Sequence, residues 1–513
     1  MSRAPAASRR GRAGASRPVR RGPWLGREIE VDVGPVAHGG HCVARHEGRV
    51  LFVRHALPGE RVLARVTDDR GGGFCRADAV RVLTPSPDRV EPPCPHAGPG
   101  RCGGCDWQHA SGAAQRELKA AVVREQLTRL AKLPDVPVTV QELPGGLLGW
   151  RSRVRFAVDP AGHTGLRRHR SHGLEPVGHC PLGTDRVTAA GVGERTWPAG
   201  AEVEVVATST GDTTILLRPP ENAPDPAAGP APGSAVGPAP GSAGASAPDP
   251  VAASGASGAG SAGGAAARGA AAGRAVAAEG RTARGGSVSA RGRDGRGSGP
   301  GTDGERAVGD DDPRAAGGGV VHDGPARIRE RAGGRDWELA AGGFWQVHPA
   351  AADTLAACVL ELLAPRPGET ALDLYAGAGL FAGLLADAVG PDGHVLAVES
   401  DPVAADDARA NLDGHAEVRE ARVTAGLLGG LGFRPDLAVL DPPRAGAGPD
   451  VLTALLALHP RAVAYVSCDP AALARDLRAA LDAGWTLTTL RAYDCFPMTQ
   501  HVETVALLEP ATP

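Results

Sequence analysis

The chain has 513 residues and a formal net charge of −3, which excludes a globally basic nucleic-acid binder, so any surface for RNA or DNA must be local. It holds 73 Gly and 45 Pro, and its only lysines are Lys119 and Lys132, so arginine richness carries weight only where acids do not match it. No apolar run is long enough to span a membrane and no signal-peptide core opens the chain; nine cysteines in an expected cytoplasmic, monomeric protein point to ligation or catalysis before disulfides.

Residues 1–27 carry eight Arg and no acid, and read as a disordered basic arm. From Glu28 to residue 86 the pattern changes to short β runs (EIEVDV, HCVARHEGRVLFV, ERVLARVTDD, CRADAVRVL) separated by Gly and Pro turns, the signature of a small barrel. The segment Phe52-Val-Arg-His-Ala-Leu-Pro-Gly-Glu-Arg-Val62 resembles the TRAM domain, an OB-like barrel that binds RNA.

Residues 87–218 open with Cys94, Cys102 and Cys105 in a loop of Gly and Pro, which break helices and strands alike. A loop of this kind is shaped to wrap a metal or cluster. Three thiolates need a fourth partner, and Cys180 in His179-Cys-Pro181 offers one; zinc and a [4Fe-4S] cluster are both compatible with four cysteines. Cys42, Cys75, Cys358 and Cys495 read as ordinary buried thiols. A helix over about Ala113 to Lys132 reads as scaffold. On a strand Arg151, Arg153 and Arg155 share one face, and Arg167, Arg168 and Arg170 follow; six Arg against one Asp suggest a face that tracks phosphates.

Residues 219–320 contain no aromatic residue and no Leu, Ile or Met, and cannot bury enough apolar surface to offset ordering; they read as a disordered insertion, after which the central domain resumes over 321–342. From Gly343 to residue 513, ALDLYAG, HVLAVES, DLAVLDPPR, AVAYVSCD, TLTTLRAY and HVETVALLE alternate with helical stretches. The expected fold is therefore α/β: a Rossmann-like, doubly wound sheet, preceded by the barrel and a central α+β domain. Gly377 and Gly379 let backbone approach a ligand between strand and helix, and Glu399 ends the next strand, where ribose hydroxyls donate. That loop alone suits NAD as well as S-adenosylmethionine. Cys468 ends the strand AVAYVS, where a side chain on a rigid element can face a cleft.

Taken in order, GFWQVHP from Gly343, DLYAGAGLF from Asp373, DPPRAG from Asp441, SCDP from Ser467 and DCFPMTQHVE from Asp494 resemble the RNA uracil-5-methyltransferase family. The resemblance covers most of the chain apart from the arm and the insertion. It implies an S-adenosylmethionine-dependent enzyme acting on a uridine of tRNA or large-subunit rRNA. It also implies a cofactor site lined by Gln346, Tyr375, Glu399 and Asp441, a [4Fe-4S] cluster on Cys94, Cys102, Cys105 and Cys180, and Glu503 as general base. Two features depart from the family: the spacer between Cys94 and Cys102 is longer, and Leu380 replaces a frequent Asn, which leaves a backbone or apolar contact there.

The residue types suit this chemistry. Carbon 5 of uracil is a poor nucleophile until a thiolate adds at carbon 6, for which Cys468 is the candidate, and the carbon 5 proton must then go to a base such as Glu503. The target base must leave its stack, which favours loops over continuous duplex. A radical methylthiotransferase shares a TRAM barrel and a cluster but uses three close cysteines, and a non-catalytic RNA-binding relative would lack Cys468 or Glu503.

Overall fold

The computed structural model describes residues 22–219 and 319–511; the basic arm up to residue 21 and the insertion from 220 to 318 lie outside the described residues. The first unit of structure is a five-stranded sheet of β1 (Glu28–Asp32), β2 (Cys42–His46), β3 (Arg49–Arg54), β4 (Arg61–Asp68) and β5 (Phe74–Thr84), in the order β1-β4-β5-β3-β2. Alternation decides its faces: Leu51, Val53, Cys75 and Ala77 point inward with Trp107, while Phe52, Phe74 and Arg76 point outward.

Helix α1 (Gly112–Gln126) starts at Ser111, whose hydroxyl accepts the Ala114 amide, and ends in a π-helical turn over Leu127–Ala131. Its outer end packs on the C-terminal domain, and β6 (Val140–Glu142) becomes the last strand of that domain's sheet. The helix is tied to the C-terminal domain from inside, because the ammonium of the fully buried Lys119 pairs with Asp494 and donates to the Phe496 carbonyl at 3.0 Å.

The central sheet contains β7 (Arg153–Val158), β8 (Thr164–Arg167), β9 (Leu174–Pro176), then, past the short helix α2 (Asp185–Ala189), β10 (Glu202–Ala207), β11 (Thr213–Arg218) and β12 (Val320–Asp323), in the order β12-β11-β10-β7-β8-β9. Leu217 pairs with Val320, so the two ends of the insertion are neighbours in one antiparallel ladder. The expected phosphate-tracking face is corrected for four of its six arginines. Arg153 turns inward to the carbonyls of Ala341 and Gly343, Arg155 pairs with Glu204 at 3.1 Å, Arg167 with Glu202 at 3.1 Å, and Arg168 with Glu175 at 3.3 Å. Register is the reason: β10 sets Glu204 directly opposite Arg155.

A hairpin of β13 (Arg327–Ala332) and β14 (Arg335–Ala340) leads to α3 (Ala351–Leu363) and the large sheet. Its strands β15 (Thr370–Leu374), β16 (His394–Glu399), β17 (Glu417–Glu420), β18 (Leu437–Leu440), β19 (Ala462–Ser467), β20 (Trp485–Asp494) and β21 (Glu503–Pro510) alternate with α4 (Leu380–Val389), α5 (Pro402–Leu412), α6 (Ala425–Gly429), α7 (Pro449–Leu456) and α8 (Pro470–Asp482). The order is β17-β16-β15-β18-β19-β21-β20-β6, with β21 antiparallel to both of its neighbours. Strands β15, β18 and β19 are buried on both faces between two apolar clusters, as their near-continuous Val, Leu and Ala runs require. The order reverses between β15 and β18, which opens a crevice at their carboxyl ends. Among the described residues no helix is long and apolar enough to cross a membrane.

Candidate active site

The loop leaving β15 is shaped by backbone demands. Tyr375 has φ +65 and its amide donates to the Val398 carbonyl at 2.9 Å; Gly377 and Gly379 follow with φ +56 and +93 before α4 begins. A non-glycine residue in the left-handed region is held there by its surroundings, a pattern common at ligand sites. A side chain added at Gly377 would meet no atom within 4 Å, so glycine serves the turn and leaves the backbone open to a ligand. The Gly377 amide donates to Glu399 Oε2 at 2.9 Å, while Glu399 Oε1 accepts the Asp401 amide at 2.7 Å.

Two further carboxyls face this crevice. Asp373 is fully buried: Oδ2 accepts the Ala382 amide at 2.8 Å, Oδ1 has no partner among the described residues, and burial, opposed by that amide and reinforced by Asp441 and Glu399, pushes the carboxyl up to about 8. Asp441 follows β18, its amide bonded to the Leu374 carbonyl at 3.2 Å, and burial pushes it up to about 7. Gln346 is half-buried on the approach to α3, between the buried Trp345 and His348. Asp373 opens the motif DLYAGAGLF, and its orphaned oxygen is visible only in three dimensions.

Cys468 and Glu503 meet at the junction of β19 and β21. These strands run antiparallel with Ser467 opposite Thr504, so the next residues outward, Cys468 just past β19 and Glu503 at the start of β21, stand at one level. Glu503 is 5% exposed, and burial together with Asp441 holds its carboxyl well above the usual carboxylate range, opposed by Arg444. The Cys468 thiol is pushed up to about 12 by burial and by Glu503 and Asp441, again opposed by Arg444. Arg444 is thus the cation of this pocket, and its guanidinium lies 3.4 Å from His501 Nε2, whose ring is kept neutral by burial and Arg444. The loop bearing Arg444 is pinned from below: Tyr465 donates to Asp476 at 2.6 Å, and the Ala447 and Gly448 amides donate to that hydroxyl and carboxylate. Arg444 and His501 stand in the DPPR and HVE motifs, yet their roles depend on contacts that a motif does not encode.

Asp469 caps α8 through the Ala471 and Ala472 amides and lies 3.1 Å from His38 Nε2, on the barrel loop before β2. The barrel therefore touches the residue beside Cys468.

Cys94, Cys102, Cys105 and Cys180 are all half-buried and line a single cavity of about 340 Å³. Gln108 donates to Cys105 Sγ at 3.2 Å and the Gly104 amide to Cys102 Sγ at 3.5 Å. Among the described residues no three His, Cys, Asp or Glu side chains converge closely enough for one metal ion. Cys42, Cys75, Cys358 and Cys495 are buried, as expected of ordinary core thiols.

A doubly wound sheet with a glycine loop at its switch point, an acidic second strand end and the antiparallel β21 set between β19 and β20 defines a methyltransferase-type domain, here joined to a TRAM barrel. The TRAM domain matches residues 25–80, the tRNA (Uracil-5-)-methyltransferase family residues 431–511, and the Protein-L-isoaspartate(D-aspartate) O-methyltransferase family residues 346–436, the part that carries the glycine loop. The chain is 46% identical over 504 residues to an uncharacterized RNA methyltransferase of Streptomyces coelicolor, covering 95% of this chain and 94% of the relative. It is 45% identical over 502 residues to one of Streptomyces avermitilis, covering 95% and 99%. The crystal structure of Pyrococcus abyssi tRNA (uracil-54, C5)-methyltransferase in complex with S-adenosyl-L-homocysteine shares the fold, with a TM-score of 0.59 at 21% identity over 94% of this chain and 100% of that one. The chain belongs to the family of RNA methyltransferases that the Streptomyces relatives represent, enzymes that depend on S-adenosylmethionine.

Proposed function

We propose that the protein methylates carbon 5 of a uridine in tRNA or large-subunit rRNA, with Cys468 as nucleophile and Glu503 as general base. The observation that carries this reading is the pairing of Cys468 with Glu503 at one level of adjacent antiparallel strands, with Arg444 as the opposing charge. Cys468 Sγ bonds carbon 6, and the 5,6 π electrons move toward O4 and make carbon 5 nucleophilic. Bound S-adenosylmethionine would supply the electrophilic methyl group: carbon 5 takes the methyl, and the sulfonium sulfur keeps the bonding pair and leaves as the neutral thioether, S-adenosyl-L-homocysteine. Glu503 then accepts the carbon 5 proton, the double bond re-forms and the Sγ–carbon 6 bond breaks. Arg444 favours the thiolate and carboxylate that these steps need.

The donor site fits a cationic, hydroxyl-bearing ligand. Glu399 would accept from the ribose, Tyr375, Gln346 and Asp441 would line the pocket, and the unpartnered Asp373 Oδ1 suits an ammonium donor. For the four cysteines a [4Fe-4S] cluster is the better filling. Cys94, Cys102, Cys105 and Cys180 share one cavity and would hold such a cluster through four thiolates. Donors at Cys105 and Cys102 suit cluster-bound sulfur.

The test is incubation with methyl-labelled S-adenosylmethionine and RNA from a strain lacking the gene, then nucleoside analysis. Label is expected in 5-methyluridine; label in any other nucleoside would overturn the assignment.

A further inference from the structure

Arg153, Arg155, Arg167 and Arg168 are engaged within the protein, and the geometry points to another surface for RNA. It is a strip running from the outer face of β3 and β5 to the turn between β8 and β9, and it takes a single-stranded stretch of substrate RNA: Phe74, Phe52 and His169 stack bases, and Arg76 and Arg170 hold phosphates. This inference rests on the RNA reading above.

Alternation puts Phe52, Phe74 and Arg76 on the outward face, where Phe74 remains 52% exposed, more than packing alone explains for a large apolar ring. The two rings meet edge to face at 5.6 Å, and the Arg76 guanidinium lies over both, at 6.0 and 5.9 Å. The row continues through His41, 6.4 Å from Phe52 and 6.1 Å from His169, so four rings connect the barrel with the central domain. His41 is buried and backs the row; His169 is half-buried in the turn. That turn is fixed by the cysteine loop, because the Gly103 amide donates to the Arg167 carbonyl at 3.0 Å and any Cβ on Gly103 would lie 2.6 Å from the His169 amide nitrogen.

The charges fit an anionic, base-stacking ligand. Among the described residues neither Arg76 nor Arg170 makes an ion pair, whereas the nearby Arg49, Arg65, Arg167 and Arg168 all do. Arg76 is also lowered from its ordinary value, by burial and then by Arg170, and Asp68, opposite it on β4, offsets this only in part. Burial and the surrounding Arg54, Arg170 and Arg76 lower His169 to about 4, which leaves a neutral ring suited to stacking. Interleaved rings and cations of this kind hold single strands with little sequence preference, since every base has a π face. A duplex hides its bases and gains nothing from Phe74.

The strip also leads to the chemistry. Beside His41, Gly40 packs on Gln500 so closely that a Cβ would lie 2.8 Å from its side chain, and His38 reaches Asp469, the neighbour of Cys468. A strand lying on the rings is thereby delivered to the pocket with one nucleotide free to turn in.

The experiment uses the full chain with Phe74→Ala and Arg170→Gln, both at exposed positions. Each is read by fluorescence anisotropy against a labelled short oligouridylate, with bulk tRNA and a blunt RNA duplex alongside. Phe74→Ala is expected to weaken oligomer binding about 10-fold without changing the salt slope. Arg170→Gln is expected to reduce the slope of log affinity against log salt by about 0.7. If wild-type protein binds tRNA and both variants match it on the oligomer, the strip is wrong while the RNA reading stands. Preference for the duplex over the oligomer would also overturn the strip. Wild-type protein that binds neither tRNA nor oligomer would remove the RNA reading itself.

Discussion

Thr504 donates its hydroxyl to the Ser467 carbonyl at 2.9 Å, locking β21 to β19 one residue short of Glu503 and Cys468. A lock so close to the pair predicts separable chemical phenotypes with little disturbance of the fold. Cys468→Ala is expected to abolish methyl transfer and every covalent RNA complex. Glu503→Gln keeps the carboxylate's size but cannot accept the proton, so methylated RNA accumulates on Cys468. Denaturing electrophoresis with labelled S-adenosylmethionine reads both; a shifted band in Cys468→Ala, or wild-type turnover in Glu503→Gln, would count against the assignment.

The pocket also predicts a pH dependence. Cys468 and Glu503 both have raised values, so each acquires its charge only as pH climbs, and the single-turnover rate of adduct formation should rise with pH without levelling near the ordinary thiol value of about 8.5. Arg444 opposes both shifts. Arg444→Gln should therefore move the rising limb to higher pH and slow adduct formation about 10-fold at neutral pH, where 1.4 units of free energy in kcal/mol is one decade. Rapid-quench measurements across pH would reveal an unmoved profile if Arg444 were only a surface charge.

Lys119 and Asp494 join α1 to the carboxyl end of β20 inside the protein. Lys119→Met leaves Asp494 buried and uncompensated and should cost about 3–5 kcal/mol, measured by urea unfolding; adding Asp494→Leu should recover much of that loss. Equal losses in the single and double variants would mean that the pair contributes packing and not charge.

Cys180 reaches the cavity from the chain beyond β9, whereas the other three cysteines come from one loop. Protein purified without oxygen should be brown, with iron and sulfide in roughly equal amounts as expected for a [4Fe-4S] centre. Cys180→Ser should bleach it and weaken RNA binding more than S-adenosyl-L-homocysteine binding, measured side by side. A colourless wild-type protein with one zinc would overturn the cluster.

Much of this organisation was legible in the chain because buried strands need uninterrupted apolar runs. Ala462 to Ser467 reads as a strand and is buried throughout, and the carboxyl end of such a strand is where Cys468 had to emerge. The edge strands β17 and β6 escaped, since EVRE and VQE have one apolar residue each and are defined by their neighbours' hydrogen bonds. The arginine strand misled for a related reason. Period-two spacing states which side chains share a face, but the acids that pair with Arg155 and Arg167, Glu204 and Glu202, arrive from β10 49 and 35 residues later, and only the sheet brings them together. The couplings of Arg444 to Cys468 and of His38 to Asp469 are tertiary in the same sense.

The pairing of Leu217 with Val320 makes the junction between β11 and β12 a socket. Whatever chain joins the two strands must begin and end at nearly the same point, so its length hardly registers with the sheets that flank it. For a flexible connection, closure changes by only ~0.6 kcal/mol per doubling of length. Excising Asp225 to Arg314 should therefore leave methylation nearly intact, and loss of activity by a folded deletion variant would assign that tract a binding role. The same socket would accept a foreign domain whose own termini lie close together, placing a fluorescent or affinity reporter on the enzyme without touching either end of the polypeptide.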